Sequence, residues 1–325
     1  LELEEIYRLV AEDLAKVRSQ IETVAEVDYP PLAEMLRHIF EGGKGIRPAL
    51  NLLAGKLYHY NLDLLLPMAT GIELMHTATL VHDDAIDKSA VRRGRPTINQ
   101  VWGEDRAVLL GDYLFAKAGE FAANTGNLRV IILFSRTLQT ISRGEIVQTD
   151  DAFKLEQTRH HYLERIASKT ASLFSLATVS GAILSRAPEA SIKILQDYGF
   201  NLGVAFQLVD DILDFVGTEQ EMGKPIGSDL SQGTLTLPAM LLLEQYPDDN
   251  PVEELFRKPN MPEKDRRGKI RRAIEMVENS TIVKQCYQLA SGYCDEACHD
   301  LGKLPARPSR QALKDLVDLV ISRKK

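Results

Sequence analysis

The chain is 325 residues long, 44% hydrophobic but only 6% aromatic, with a net charge of −7 and a pI near 5.6. That acidic balance argues against nucleic acid as a partner, and three cysteines, Cys286, Cys294 and Cys298, are too few and too clustered for a disulfide framework. No uncharged apolar run reaches the ~18–20 residues that span a bilayer, and the charged, amphipathic start LELEEIYRLVAEDLAKV does not read as a signal peptide, so a reducing, cytoplasmic setting is expected.

Apolar residues recur at helical spacing almost throughout. The spacing predicts helices over 3–25, 31–40, 47–60, 64–89, 105–123, 127–150, 158–185, 188–217, 234–245, 263–302 with a break near 280, and 309–323. In the first, Leu3, Ile6, Leu9, Val10, Leu14, Val17 and Ile21 form one buried stripe. Strand alternation is absent. Segments 64–89, 158–185 and 188–217 are apolar on more than one side and should lie at the centre. Breaks fall at EGGKGIRP, RRGRP, GTEQEMGKPIGSDLSQG and the polar stretch 248–268, none of which reads as a domain linker. The expectation is a single all-α bundle over residues 1–325, built around a central cavity.

Two acidic clusters end central helices. In LVHDDAID, Asp83 and Asp87 are four apart and share a helix face, while Asp84 points about 100° away. Stacked carboxylates repel unless a cation bridges them, and oxygen-only ligands select a hard ion such as Mg²⁺. Alone, such a cluster reads as a solvated helix end. A second copy, Asp210, Asp211 and Asp214 in FQLVDDILD, does not fit that reading. Two clusters facing across a cavity could hold several Mg²⁺ ions on a polyphosphate, neutralising charge on a diphosphate leaving group.

Basic residues complete an anion site. EGGKGIRP places Lys44 and Arg47 among Gly42, Gly43 and Gly45 ahead of a helix, where backbone N–H groups can approach an anion. It is not a Walker loop, since the spacing and the following Ser/Thr are missing. Arg92 and Arg93 follow the first acidic cluster. The pattern suggests two diphosphate sites, one bridged by metal and one held by basic side chains. On its own, His76 reads as a core histidine rather than a ligand. The pairs Glu73/His76 and Glu296/His299 admit a di-iron bundle, but that leaves both aspartate clusters unexplained. A zinc site from the cysteines and His299 is less economical than buried thiols.

The segments GGKGIRP, HTATLVHDDAID, RRGRPT, SKTASLF, FQLVDDILD and GKP-GSDL resemble, in order and spacing, the trans-type polyprenyl diphosphate synthases, over roughly residues 30–240. The resemblance implies an isoprenoid-synthase bundle in which an allylic diphosphate ionises and the double bond of isopentenyl diphosphate attacks the carbocation. It implies that Asp83 and Asp87 bind two Mg²⁺ and that Asp210 with Asp214 serves a third. Arg92, Lys169 and Lys224 would hold the allylic diphosphate, and Lys44, Arg47, His76 and Arg93 the isopentenyl diphosphate. Thr170 and Gln207 would sit beside the reacting carbons. Thr234 replaces a lysine that many members place on the allylic diphosphate. A terpene cyclase carries a different second metal motif, and a silent regulatory subunit would lose aspartates.

The resemblance further implies a homodimer and farnesyl or geranylgeranyl diphosphate as starter, with peripheral membrane contact for product release. Residues five and four before Asp83 are Ala78 and Thr79, small where short-chain members often carry Phe or Tyr. The expected product is therefore octaprenyl- or solanesyl-like, about thirty to fifty carbons, with a geranylgeranyl- or farnesylgeranyl-sized product as the alternative.

Overall fold

In the computed structural model, residues 2–40, 42–218 and 225–323 are described. Helices α1 (Leu3–Tyr7), α2 (Ala11–Thr23), α3 (Pro30–Phe40) and α4 (Ile46–Gly55) lead into the long α5 (Leu62–Ile86). A hairpin, β1 (Val91–Arg92) and β2 (Arg95–Pro96), and the short α6 (Ile98–Trp102) precede α7 (Glu104–Ala123) and α8 (Leu128–Asp150). Next come α9 (Arg159–Ile166), a π-helical turn over Ala167–Ala171, α10 (Ser172–Leu184) and α11 (Glu189–Val216). The chain closes with α12 (Ser228–Ser231), α13 (Leu237–Gln245), α14 (Pro251–Arg257), α15 (Glu263–Glu278), α16 (Ile282–His299) and α17 (Pro308–Ser322).

The all-α reading holds, with local corrections. The expected helix over 3–25 breaks at Val10, which leaves the helical region, and the one over 47–60 stops at Gly55. The polar stretch 248–268 hides α14, started by the Asn250 side chain, which accepts from the Val252 N–H at 2.9 Å, and by Pro251 in the first turn. The expected break near 280 separates α15 from α16. Strand structure is not wholly absent. Arg93 and Gly94 both take positive φ, 51° and 74°, and this tight turn pairs Val91 with Pro96 and Arg92 with Arg95.

Helices α5, α10 and α11 are enclosed by the others, as their apolar character on several sides predicts. Their buried residues belong to one contiguous cluster that runs from Ile6 to Val320. The segments 62–86 and 159–184 are long and apolar enough to cross a membrane, yet most of each lies inside the bundle. Polar ties fix the packing. The fully buried Asn51 amide on α4 donates to the Ala177 carbonyl and the Ser180 hydroxyl on α10, at 3.1 and 2.9 Å. Close approach at Gly203 sets α11 on the π turn, where a Cβ would lie 2.5 Å from Ala171 Cα.

Candidate active site

The first aspartate cluster sits where α5 stops. Asp87 caps the helix and Lys88 turns left-handed at φ 51°. The Ser89 N–H then reaches back to the Asp84 carbonyl at 2.9 Å and the Lys88 N–H to Ala85 at 3.3 Å, a Schellman closure. Three carboxylates thus crowd the negative end of a helix dipole, which demands cations. Asp84 is buried and pairs with the Arg92 guanidinium, whose Nε lies 2.9 and 2.8 Å from its two oxygens. Burial raises the Asp84 pKa despite that partner. The hairpin therefore aims Arg92 at the cluster.

Lys169 answers the second carboxylate. It rides on the π turn, a distortion common at functional sites, and its ammonium lies 3.3 Å from Asp83 and 2.8 Å from Glu145. Burial alone would lower its pKa, but Asp83, Glu145 and Asp87 outweigh burial and raise it. Glu145 reaches this position because Gly144 lets α8 touch the turn; a Cβ there would sit 2.9 Å from Ser168 Cβ. Burial, with Asp83 and Glu145 nearby, pushes Asp87 up to about 6. The all-oxygen donor set fits a hard divalent cation. Among the described residues no three carboxylate, imidazole or thiol groups enclose an ion by themselves, which suits a metal completed by phosphate oxygens.

The second cluster divides into three tasks. Asp210 meets the C-terminal Arg323 at 2.8 Å, and that guanidinium also lies 4.8 Å above the Phe206 ring. Asp211 is buried, accepting from Tyr162 Oη at 2.6 Å and from the Gln207 amide at 2.8 Å. Burial and the Asp229 charge push it up to about 7. Asp214, fully buried, accepts from the Ser228 hydroxyl at 3.0 Å and the Asp229 N–H at 3.1 Å, anchoring the first turn of α12, and its carbonyl accepts from the Gly227 N–H just before that helix. Thr170 donates to Gln207 Oε1 at 2.6 Å, so these two expected neighbours do meet. Lys224 lies outside the described residues.

The glycine loop supplies the third set. Gly42, Gly43 and Gly45 all have positive φ, and Arg93 approaches so closely that its Nη1 would be 3.4 Å from a Cβ on Gly43. Arg47 packs 4.9 Å over Phe174, and its Nε is buried without a hydrogen-bond partner. Burial draws its pKa down to about 10, so it remains a cation at neutral pH. Burial, then the charges of Arg47, Arg93 and Arg92, hold His76 well below its usual range, so it is neutral. Lys44 is lowered by burial and by Arg323, with Asp210 opposing. The expected isopentenyl ligands therefore converge, and their charges act on Asp210 as well. Glu73, which the sequence reading used only in a rival proposal, lies among them with Oε2 buried and unpartnered.

Ala78 and Thr79 part company. At about 100° per residue, Ala78 points with Gly71 and His82. Gly71 faces Ala118 and Ala122, and His82 faces Gly111, all on α7. Ala78, fully buried, thus belongs to the α5–α7 seam, while Thr79 turns toward the Asp83 side. The rival sites also dissolve. Glu296 and His299 are exposed on α16, away from Glu73 and His76. Cys286 and Cys294 are buried free thiols, and burial pushes each up to about 12.

Residues 29–277 match the model of the polyprenyl synthetase family. The chain is 39% identical to heptaprenyl diphosphate synthase component 2 of Geobacillus stearothermophilus, over 97% of both chains. A decaprenyl diphosphate synthase from Rhodobacter capsulatus superposes with a TM-score of 0.91 at 36% identity, covering 100% of each chain. A polyprenyl synthase from Caulobacter crescentus, complexed with calcium and isoprenyl diphosphate, gives 0.92 at 35% identity, covering 100% of this chain and 98% of that one. With its aspartate-tipped helices and basic loop, the chain belongs to the polyprenyl synthetase family and is a chain-elongating trans-prenyltransferase of the medium- to long-chain type.

Proposed function

We propose that the enzyme condenses isopentenyl diphosphate with an allylic diphosphate, farnesyl or geranylgeranyl diphosphate, with three Mg²⁺ in the loaded site. Asp83, Asp87 and Asp210 would hold the metals, and Asp214 would serve the third through the loop that it anchors. The carrying observation is Lys169, an ammonium lodged between Asp83 and Glu145 where a diphosphate and its metals would be expected. Bound Mg²⁺ would neutralise charge on the leaving diphosphate.

The chain's own residues account for the remainder. Arg92, Lys169 and Lys224 grip the allylic diphosphate and take up charge as its C–O bond breaks. Lys44, Arg47, Arg93 and neutral His76 hold isopentenyl diphosphate, whose double bond attacks the carbocation. Thr170 spends its proton on Gln207, leaving hydroxyl lone pairs to face the cation without a full negative charge that would quench it. The proton lost after attack passes to the departed diphosphate, and the cycle repeats. Incubation with farnesyl diphosphate, isopentenyl diphosphate and Mg²⁺, followed by sizing of the dephosphorylated product, tests this. Products of about thirty to fifty carbons support it, on the argument that one isoprene repeat spans about 5 Å of extended chain.

A homodimer is part of the same reading. Val108 and Leu109 on α7, with Leu128, Ile132, Ile146 and Val147 on α8, are exposed apolar residues on neighbouring helices, as a subunit contact needs. The Geobacillus relative's name, component 2, favours a different partner subunit as the second reading. The mass in solution of the purified chain, alone, separates the two.

A further inference from the structure

The basic pocket ahead of α4 contains one group of the wrong sign. Glu73 stands on α5, one turn before His76, and its carboxylate reaches the glycine loop. A Cβ on Gly43 would lie 3.7 Å from Glu73 Oε1 and 3.4 Å from Arg93 Nη1. Glu73 Oε2 is buried and accepts no hydrogen bond, and Arg47 Nε is buried and donates none. An open acceptor and an open donor therefore share one pocket, where buried polar atoms are nearly always satisfied.

Every element around Glu73 bears on its charge. Arg47 from α4, Arg93 from the hairpin and Arg18 from α2 favour the carboxylate, yet burial outweighs them and the carboxyl is raised. Tyr7 of α1 also faces it, and burial with Glu73 beside it keeps that phenol protonated. His76, on α5 itself, is neutral. Asp210 of α11 acts on Arg47, and Lys44 of the loop feels Arg93, Asp210 and Arg323. An ionised carboxylate and a phosphate are both acceptors, so they attract only with a proton between them. A diphosphate entering the pocket adds the charge that draws such a proton in. One unit charge about 6 Å away, at an effective dielectric constant of about 20, raises a carboxyl by roughly two pH units.

We propose that isopentenyl diphosphate binds together with one proton, shared between Glu73 Oε2 and a phosphate oxygen, while Arg47 Nε–H donates to the same phosphate. The proton comes from solvent, and no bond to carbon or phosphorus forms or breaks. The inference deepens the reading of this pocket as the isopentenyl site and rests on it. In the empty pocket the Glu73 carboxylate offsets the mutual repulsion of Arg47, Arg93 and Lys44. Once the diphosphate replaces it as their counter-charge, the added proton removes the opposing charge from beside the substrate.

Titration calorimetry with isopentenyl diphosphate tests this, without Mg²⁺ so that the metal-bridged site stays out of play. Runs in two buffers of different ionisation heat, between about pH 7 and pH 9, count the protons taken up. In that range a free phosphate has already lost its last proton, whose pKa is about 6. Wild type should take up roughly half a proton to one, so its Kd should rise by about three- to tenfold per pH unit. Glu73→Gln has the same shape and a neutral donor, so it should take up none and bind with a Kd that is flat with pH. Glu73→Ala, the second variant if Glu73→Gln fails to fold, should also take up none but bind more weakly, having no hydrogen to give. Wild-type binding without uptake overturns the inference. So does uptake that survives in Glu73→Gln, which would place the proton on His76 or Lys44. The reading of the pocket fails separately, if Arg47→Ala leaves the binding of isopentenyl diphosphate unchanged.

Discussion

Thr79→Phe asks where the growing hydrocarbon runs. Thr79 lies one turn before Asp83, about 6 Å along the α5 axis, whereas Leu62 is 21 residues and about 31 Å away. An extended isoprene repeat adds four chain bonds of about 1.5 Å, close to 5 Å in projection. A track along the whole of α5 therefore accepts about six repeats, or thirty carbons, before the chain must pass the helix start. A ring at position 79 closes that track within its first turn, about one repeat from Asp83, so most of those six repeats should be lost and elongation should stop close to the starter. Ala78→Phe is the matched control. Ala78 is fully buried with Gly71 and His82 against α7, so a ring there overpacks a closed seam. It should cost about 1–3 kcal/mol of stability and lower the melting temperature while leaving product length unchanged. The assay is elongation with labelled isopentenyl diphosphate, followed by dephosphorylation and chain sizing. A folded Ala78→Phe enzyme with short products, beside a Thr79→Phe enzyme with normal ones, would refute this orientation of α5.

Chelation should abolish turnover, and Asp83→Ala or Asp210→Ala should each lower kcat by at least ~10²–10³-fold, the loss typical for one transition-state charge partner; full activity in excess EDTA would sink the metal assignment. Lys44→Ala and Arg47→Ala should chiefly raise KM for isopentenyl diphosphate, whereas Arg92→Ala should depress kcat, because charge grows only on the leaving diphosphate. Arg92→Ala should also lower the melting temperature by stranding buried Asp84, so kcat is to be read well below that temperature. Asp211 is raised from 3.8 to about 7, so its contribution to stability is complete below the unfolded value and is lost as pH rises through 7. Metal-free protein should accordingly lose stability between about pH 4 and pH 7, by at most ~1.4 kcal/mol per pH unit for this one proton, with no further loss from it above about pH 8, and Asp211→Asn should flatten the slope in calorimetry.

What the sequence disclosed and what it hid follow from the range of the interactions. Both aspartate clusters and the glycine loop are local patterns on strongly periodic helices, and they were legible. Glu145 left a fainter trace: it follows the buried Ile141 by four residues and so falls beside the apolar face of α8. The hairpin at 91–96 escaped because two residues per arm show no alternation. Arg323 could not be assigned from sequence, since its meeting with Asp210 depends on how α17 packs against α11. Ala78 and Thr79 were indistinguishable until the packing of α7 on α5 showed which side was closed.

The polarity of the bundle explains why these scattered residues belong together. Helices α5 and α11 end at the same site, each delivering carboxylates to the negative pole of its own dipole. Such an arrangement is unfavourable without cations, and three are supplied from three other elements: Arg92 of the hairpin on Asp84, Lys169 of the π turn on Asp83, and Arg323 beyond α17 on Asp210. Each is a flexible donor on a separate support, and each can exchange a carboxylate for a phosphate oxygen without moving a helix. Metal ions arriving with a diphosphate would take over the carboxylates and free these side chains for the anion. The same charges would then serve first to keep the bundle folded and afterwards to pull on the leaving group. These cations accordingly lie in elements as irregular as a two-residue ribbon, a π turn and a helix end, where a side chain can turn over while the core stays packed.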